Sequence, residues 1–320
     1  MRNLFIIASL LLTTTIVGQT TTYKNALHTF KAHYNNGDAK SAYEMMASPM
    51  QKKLTLKDTE LIFETFKKNL GSIVSFKFLK AEDGVETYLT TFSNGRQNIN
   101  ISLNPDGEVD GLRFLPAEEN REAKIERNLT KMQLPFKGEW FTVWGGDSKA
   151  QNYHVISPTQ KHAFDILKLG KNRKTYERSG TRNEDYFAFS QPLLAVCDAV
   201  VHTVIEGIPD NKPGTMNPAQ PTGNTVILKT ENDEYIVYAH FEMGTIKVKE
   251  GESVVKGQYL GNCGNSGNSS EAHLHLHIQD SPNLMTAIGV KCYFEEVMVN
   301  GKLEVDYSPV RLDKISRPDE

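Results

Sequence analysis

The sequence predicts two regions of different class, an α+β domain followed by an all-β domain. Three observations carry this. Apolar residues recur at helical spacing up to about residue 70, the period drops to two between Ser72 and Leu115, and beyond Leu134 short apolar runs punctuated by glycines replace any helical pattern. At 320 residues the chain is long enough for two ordinary domains, each with its own core.

The chain begins Met1-Arg2-Asn3, followed by an apolar run from Leu4 to Val17 and then Gly18-Gln19-Thr20. A positive start, a short apolar stretch and a small residue before polar sequence predict a secretory signal peptide over residues 1–18. The run falls short of the roughly 18 to 20 apolar residues a spanning helix needs, so no stable membrane insertion is expected after cleavage. No cysteine lies near the cleavage point to carry a lipid anchor. The mature protein is therefore expected to be periplasmic or secreted.

Residues 19–116 form the α+β domain. Ala26, Phe30, His33 and Tyr34, then Ala42, Tyr43 and Met46, then Leu61, Phe63 and Phe66 fall at helical spacing. Asn36-Gly37-Asp38 and Ser48-Pro49 divide them into about three helices. The runs Val74-Phe76-Phe78, Thr87-Leu89-Thr91, Ile99-Ile101-Leu103 and Leu112-Phe114 predict four strands, with turns at Asp83-Gly84, Asn94-Gly95 and Pro105-Asp106-Gly107. His28 and His33 are read as ordinary helix residues. This stretch, closed by Asp110-Gly-Leu-Arg-Phe-Leu-Pro116, resembles the nuclear-transport-factor-2-like cone domains that precede catalytic domains in many secreted bacterial hydrolases.

Residues 117–136 carry Glu118, Glu119, Arg121, Glu122, Lys124, Glu126 and Arg127, and are expected to be a charged helical linker with a solvated face. From residue 137 to 320 the pattern is all-β. Thr142–Gly146, Pro192–Val196, Val200–Ile205, Asn224–Lys229, Tyr235–Tyr238 and Val254–Leu260 are short apolar segments at the spacing of a barrel or sandwich.

The net charge of −3 and the lack of a Lys/Arg stripe interleaved with aromatics argue against nucleic acid as a partner. Cys197, Cys263 and Cys292 have no CxxC spacing, so they form neither a disulfide scaffold nor a thiolate zinc site. At least two of them are expected to be small buried residues.

The chemistry is concentrated in histidines. His273, His275 and His277 alternate with leucines directly after the loop Gly261-Asn-Cys-Gly-Asn-Ser-Gly-Asn-Ser-Ser270. In a strand, residues two apart share a face, so three imidazoles line up on one side. Two further clusters lie upstream: Asn152-Tyr-His154 with Lys161-His162-Ala-Phe-Asp165, and Tyr238-Ala-His240. His202, in Val200–Ile205, is expected on the outer surface of the β domain.

A hydrolytic zinc site needs three His or carboxylate ligands, an open position for water, a base and an oxyanion donor. Asp165, one His of the first cluster and one of the third complete such a set. The glycines and asparagines of residues 261–270 are expected to let backbone pass close to a bound peptide with φ > 0. The loop's serines have no Ser-x-x-Lys or Gly-x-Ser-x-Gly context and are not expected to be nucleophiles.

Gly223-Asn-Thr-Val-Ile, Tyr238-Ala-His240, Val248–Gly251, Val255–Gly261, Gly264–Ser270 and His273-Leu-His275 follow in order. Together they resemble the LytM and lysostaphin-type zinc metallopeptidases, which cut peptidoglycan peptides. The resemblance covers roughly residues 138–300. It implies a zinc metalloendopeptidase with one Zn2+ per chain and peptidoglycan peptides as partner. It further implies Asp165 and His275 as metal ligands, and His240 and His273 as catalytic residues. His277 and Asn224 are expected beside the ligands or at the substrate.

The sequence departs from the family at the first ligand. The pattern His-x-Gly-x-Asp places that His where Lys161 stands, and a charged ammonium has no lone pair to offer. His154 is the expected replacement and His162 the alternative. In an extended segment His162 lies an odd number of residues from Asp165 and faces away, unless a bulge intervenes. Ser157-Pro158-Thr159 should turn the chain and free His154 from that parity. The displaced ligand leaves a second reading open: a catalytically weak member that binds peptidoglycan or activates a separate amidase. Residues 248–258 also resemble the hairpins of lipoyl and biotinyl carrier domains, but those need no His cluster.

Overall fold

In the computed structural model, residues 21–117 and 123–318 are described. The expected signal peptide lies outside them. Among the described residues, no helix is long and apolar enough to cross a membrane.

Helices α1 (Thr21–Asn36), α2 (Ala39–Glu44), α3 (Ser48–Gln51) and α4 (Leu56–Leu70) precede an antiparallel meander of β1 (Ile73–Glu82), β2 (Val85–Phe92), β3 (Gly95–Leu103) and β4 (Val109–Pro116). The expected three helices are thus four, because Pro49 starts a separate single turn, α3. α1 buries Leu27, Phe30 and Tyr34, spaced three and four apart, against the sheet. α4 starts at a capping box in which Thr55 and Asp58 satisfy each other's backbone amides. Phe63 meets Phe30 and Tyr34 edge-on in the core between the layers. On β2 the buried face carries Tyr88 and Phe92, while Thr87-Leu89-Thr91 is the opposite series.

The charged segment departs from the helix expected of it. Among the described residues 123–136 there is none. Met132, Leu134 and Phe136, spaced by two, enter the C-terminal core, and the backbone amides of Leu129 and Thr130 donate to the buried Glu234 carboxylate. Burial of these apolar residues outweighs the helical propensity of the charged ones around them.

The C-terminal region comprises β5 (Trp140–Trp144), β6 (Phe164–Leu167), β7 (Pro192–Leu194), β8 (Ala199–Ile205), β9 (Asn224–Lys229), β10 (Tyr235–Phe241), β11 (Ser253–Val254), β12 (Tyr259–Asn262), β13 (Leu274–Gln279), β14 (Gly289–Val290), β15 (Phe294–Val299), β16 (Lys302–Tyr307) and β17 (Lys314–Ser316). Eleven strands form one sheet in the order β11-β8-β9-β10-β13-β6-β5-β17-β15-β16, with β14 beside β13. Because the path ends at β11 and β16, the sheet stays open rather than closing into a barrel. β7 and β12 form a separate pair that contributes Leu193 and Leu260 to the same core.

The central trio β10-β13-β6 places the chemistry. On β13, Leu274, Leu276 and Ile278 are fully buried in the core, each worth roughly 1.5–3 kcal/mol of burial. This fixes the register and presents His275 and His277 on the other face. His275 is paired with Asp165 on one side and with Ala239 on the other. After β13, residues 281–288 lean on the N-terminal region: Asn283 donates to the Asn69 carbonyl, and Gln97 to that of Met285.

Candidate metal centre

His154, Asp165 and His275 are all buried, and one ligand atom from each lies within 4.8 Å of the others. Three different local devices bring them there. Cross-strand pairing sets Asp165 against His275, with Oδ1 2.9 Å from Nδ1. His154 arrives on a short 3-10 helix, Tyr153–Ile156, whose N-cap Asn152 accepts from the His154 amide. The same Asn152 Oδ1 takes the His154 Nδ1 hydrogen at 2.8 Å, which leaves the lone pair on Nε2. That Nε2 is buried with no hydrogen-bond partner, 3.6 Å from Asp165 Oδ2.

His162 lies elsewhere. Its Nδ1 is 2.8 Å from Asp147 Oδ1, and Asp147 also pairs with Lys291 at 3.0 Å. Lys161 and His162 sit in a turn rather than in β6, so strand parity does not govern them.

His240 follows Ala239, and in a regular strand it would face away from His275. It instead takes φ +65° at a bulge between β10 and β9, and its ring lies 4.8 Å from that of His273 and 5.8 Å from that of His275. Such a backbone is uncommon outside glycine. The His240 amide donates to the Thr222 carbonyl and its Nδ1 to the Ser266 carbonyl at 2.7 Å, so Nε2 is left for the cluster. His273 has the same polarity. Nδ1 donates to the Glu271 carbonyl at 2.8 Å, and Nε2 lies 3.6 Å from Asp165 Oδ1.

Burial favours the neutral imidazole at His154, His240 and His277, while Asp165 is held ionised. Burial pushes His154 down to about 4, and pushes His240 and His277 well below the ordinary imidazole value. Burial alone would raise Asp165, but His154, His273 and His275 around it hold its carboxyl well below the usual range. A buried orphan lone pair beside a carboxylate and two more imidazoles is a donor set of the hard and borderline kind that zinc takes.

The remaining residues singled out by the sequence take these places. The Asn224 side chain is committed to the fold: it donates to the Ile208 and Phe241 carbonyls and accepts from the Ile208 amide. The glycines of residues 261–270 accommodate chain crossings. Among them only Gly267 has positive φ, and a Cβ on Gly264 would lie 2.2 Å from the Glu242 nitrogen. Ser266 and Ser269 spend their hydroxyls on the Phe241 carbonyl and on Asn265 with the Glu271 carbonyl. His202 is exposed, and Cys197, Cys263 and Cys292 are free and buried.

Sequence reasoning did not single out Asn152 and Gln279, which orient histidines of the cluster. A buried amide two residues from a histidine was the available signal.

Residues 185–286 match the family model described as Peptidase family M23, and residues 28–112 match one described as a protein of unknown function, DUF3887. The first match includes His240, His273 and His275 and begins after His154 and Asp165. Among solved structures, the chain is similar to the catalytic domain of the prophage-encoded M23 protein EnpA from Enterococcus faecalis, at 16% identity and a TM-score of 0.33, over 49% of this chain and 93% of that one. It is also similar to a candidate glycyl-glycine endopeptidase, lytM, from Ruminococcus gnavus, at 17% and 0.32, over 50% of this chain and 57% of the other. A zinc-containing peptidase from Vibrio cholerae aligns at 11% and 0.29, over 75% and 93%.

Proposed function

We propose, from the premise of a Peptidase family M23 match over residues 185–286, that the protein is a secreted zinc-dependent endopeptidase hydrolysing amide bonds in peptidoglycan peptides. The observation that carries this is the buried group His154, Asp165 and His275, with the His154 Nε2 lone pair unpartnered and aimed at Asp165. In this reading His154 Nε2, the Asp165 carboxylate and His275 Nδ1 hold one zinc ion. Bound there, zinc supplies Lewis acidity toward water and an amide carbonyl.

The chain's own residues do the rest. His273 Nε2, held open by the Nδ1 bond to Glu271, takes the proton from the attacking water and passes it to the leaving amine. His240, fixed through Ser266, stands beside His273 with its Nε2 lone pair toward the cluster, and once that nitrogen takes up a proton it donates to the developing oxyanion. Their neighbours hold both side chains rigidly, so little reorganisation is needed during reaction. The N-terminal helices and meander are read as a nuclear-transport-factor-2-like cone.

One feature favours the second reading, a member that binds peptidoglycan or activates an amidase without cutting: Lys161 stands where the family keeps its first ligand. Mass spectrometry of products from a defined muropeptide separates the two. New amide cleavage that chelation abolishes supports the peptidase. Stoichiometric zinc with intact muropeptide sinks it and leaves the binding reading.

A further inference from the structure

His275, His277 and Gln279 lie on one face of β13, two residues apart, and all are buried. Their side chains form a continuous hydrogen-bonded row. His275 Nε2 is 3.0 Å from His277 Nδ1, His277 Nε2 is 3.2 Å from Gln279 Oε1, and Gln279 Nε2 donates to the Ser281 carbonyl at 2.8 Å.

The direction of this row follows from its far end. The Ser281 carbonyl can only accept, so the Gln279 NH2 must face it and Gln279 Oε1 must face His277. An amide oxygen also only accepts, so the hydrogen of neutral His277 is on Nε2 and its lone pair on Nδ1. That lone pair in turn requires a hydrogen on His275 Nε2. With its hydrogen on Nε2, His275 presents Nδ1 to Asp165 Oδ1, 2.9 Å away. A lone pair on Nδ1 and the carboxylate oxygen at that distance repel each other unless a proton or a metal ion lies between them.

We propose that Gln279 is a positioning residue for the metal centre, which through His277 fixes the ring orientation and tautomer of His275 so that Nδ1 is presented as a ligand. This rests on the zinc reading of the His154, Asp165 and His275 group. Gln279 touches neither metal nor substrate. The hydrogen bond behind a ligating imidazole sets its tautomer and basicity, and losing such a partner typically weakens metal binding 10- to 100-fold. Here that partner is itself an imidazole, whose polarity a third side chain must set.

The test uses the full chain and two readouts, the nitrogen-15 spectrum of the His277 ring in the metal-free protein and the zinc dissociation constant by chelator competition. In the unsubstituted protein His277 carries its hydrogen on Nε2. Gln279→Met, of similar length but without a strong acceptor, mixes the His277 tautomers and raises the dissociation constant roughly 10- to 100-fold. His277→Leu does the same to affinity. His277→Gln retains an acceptor toward His275 and a donor toward Gln279, so it keeps affinity within about threefold, by the donor and acceptor count of an amide. A His277 hydrogen on Nδ1 in the unsubstituted protein overturns the proposal. So does unchanged affinity in Gln279→Met, or equal losses in His277→Gln and His277→Leu. If Gln279→Met does not fold, the unsubstituted spectrum and the His277 pair still decide. Absence of zinc binding defeats the peptidase reading, whereas the metal-free spectrum tests the row by itself.

Discussion

His154 Nε2 stops 3.6 Å from Asp165 Oδ2, buried and with no hydrogen-bond partner. That gap is too long for a hydrogen bond. Two atoms bonded to one tetrahedral ion at about 2.0–2.2 Å lie about 3.3–3.6 Å apart, which matches it. His154→Ala and Asp165→Ala should each lose stoichiometric zinc by metal analysis, whereas His162→Ala, which removes only a partner of Asp147, should keep it. Full zinc occupancy in His154→Ala would falsify the ligand assignment.

His240 and His273 should separate catalysis from metal binding. Each keeps Nε2 toward the cluster while Nδ1 is tied to a backbone carbonyl. His240→Ala and His273→Ala are expected to retain zinc and to lower kcat by roughly 100- to 10,000-fold, the usual scale for positioned proton-transfer and oxyanion groups. A variant that keeps full muropeptide cleavage has no such role.

The pH dependence of the metal-free protein follows from His154. Burial lowers its pKa from the ordinary imidazole value of 6.5 to about 4. Between those values the unfolded chain binds more protons, so stability is present above pH 6.5 and is lost as pH falls toward 4. The full loss is on the order of 3 kcal/mol for this group. Urea midpoints of the chelated protein should drop between pH 7 and 4.5 more steeply than those of His154→Gln. Parallel curves would remove His154 as the source. His240 and His277, depressed in the same direction, leave a residual slope in the variant.

Asn224 should behave as a fold residue. Asn224→Ala would leave the Ile208 amide and the Ile208 and Phe241 carbonyls without their side-chain partner, at about 1–3 kcal/mol per unsatisfied group. The expected outcome is a clearly lowered denaturation midpoint with zinc stoichiometry unchanged. Loss of zinc at an unaltered midpoint would return Asn224 to the metal site.

Much of the fold was legible because period-two patterning survives wherever one face of a strand is buried. Four N-terminal strands follow it, whereas β9 and β10, buried along nearly their whole length, are legible as continuous apolar runs. β16 was not singled out although Leu303, Val305 and Tyr307 alternate with charged residues, and its Leu303 and Val305 stay exposed. The linker misled because its charges concealed Met132, Leu134 and Phe136 at strand-like spacing.

By itself, the sequence determined which side chains could do the chemistry: an alternating His strand whose leucines anchor it, an Asp, and a His after a Tyr. Its local pattern was enough because alternation along one strand is a property of the chain alone. Only the tertiary structure decided which residues meet. His154 reaches Asp165 through a 3-10 turn, His240 through a positive-φ bulge, and Gln279 through the direction of a hydrogen-bonded row. These are relations between segments distant in the chain, and short-range periodicity carries no record of them.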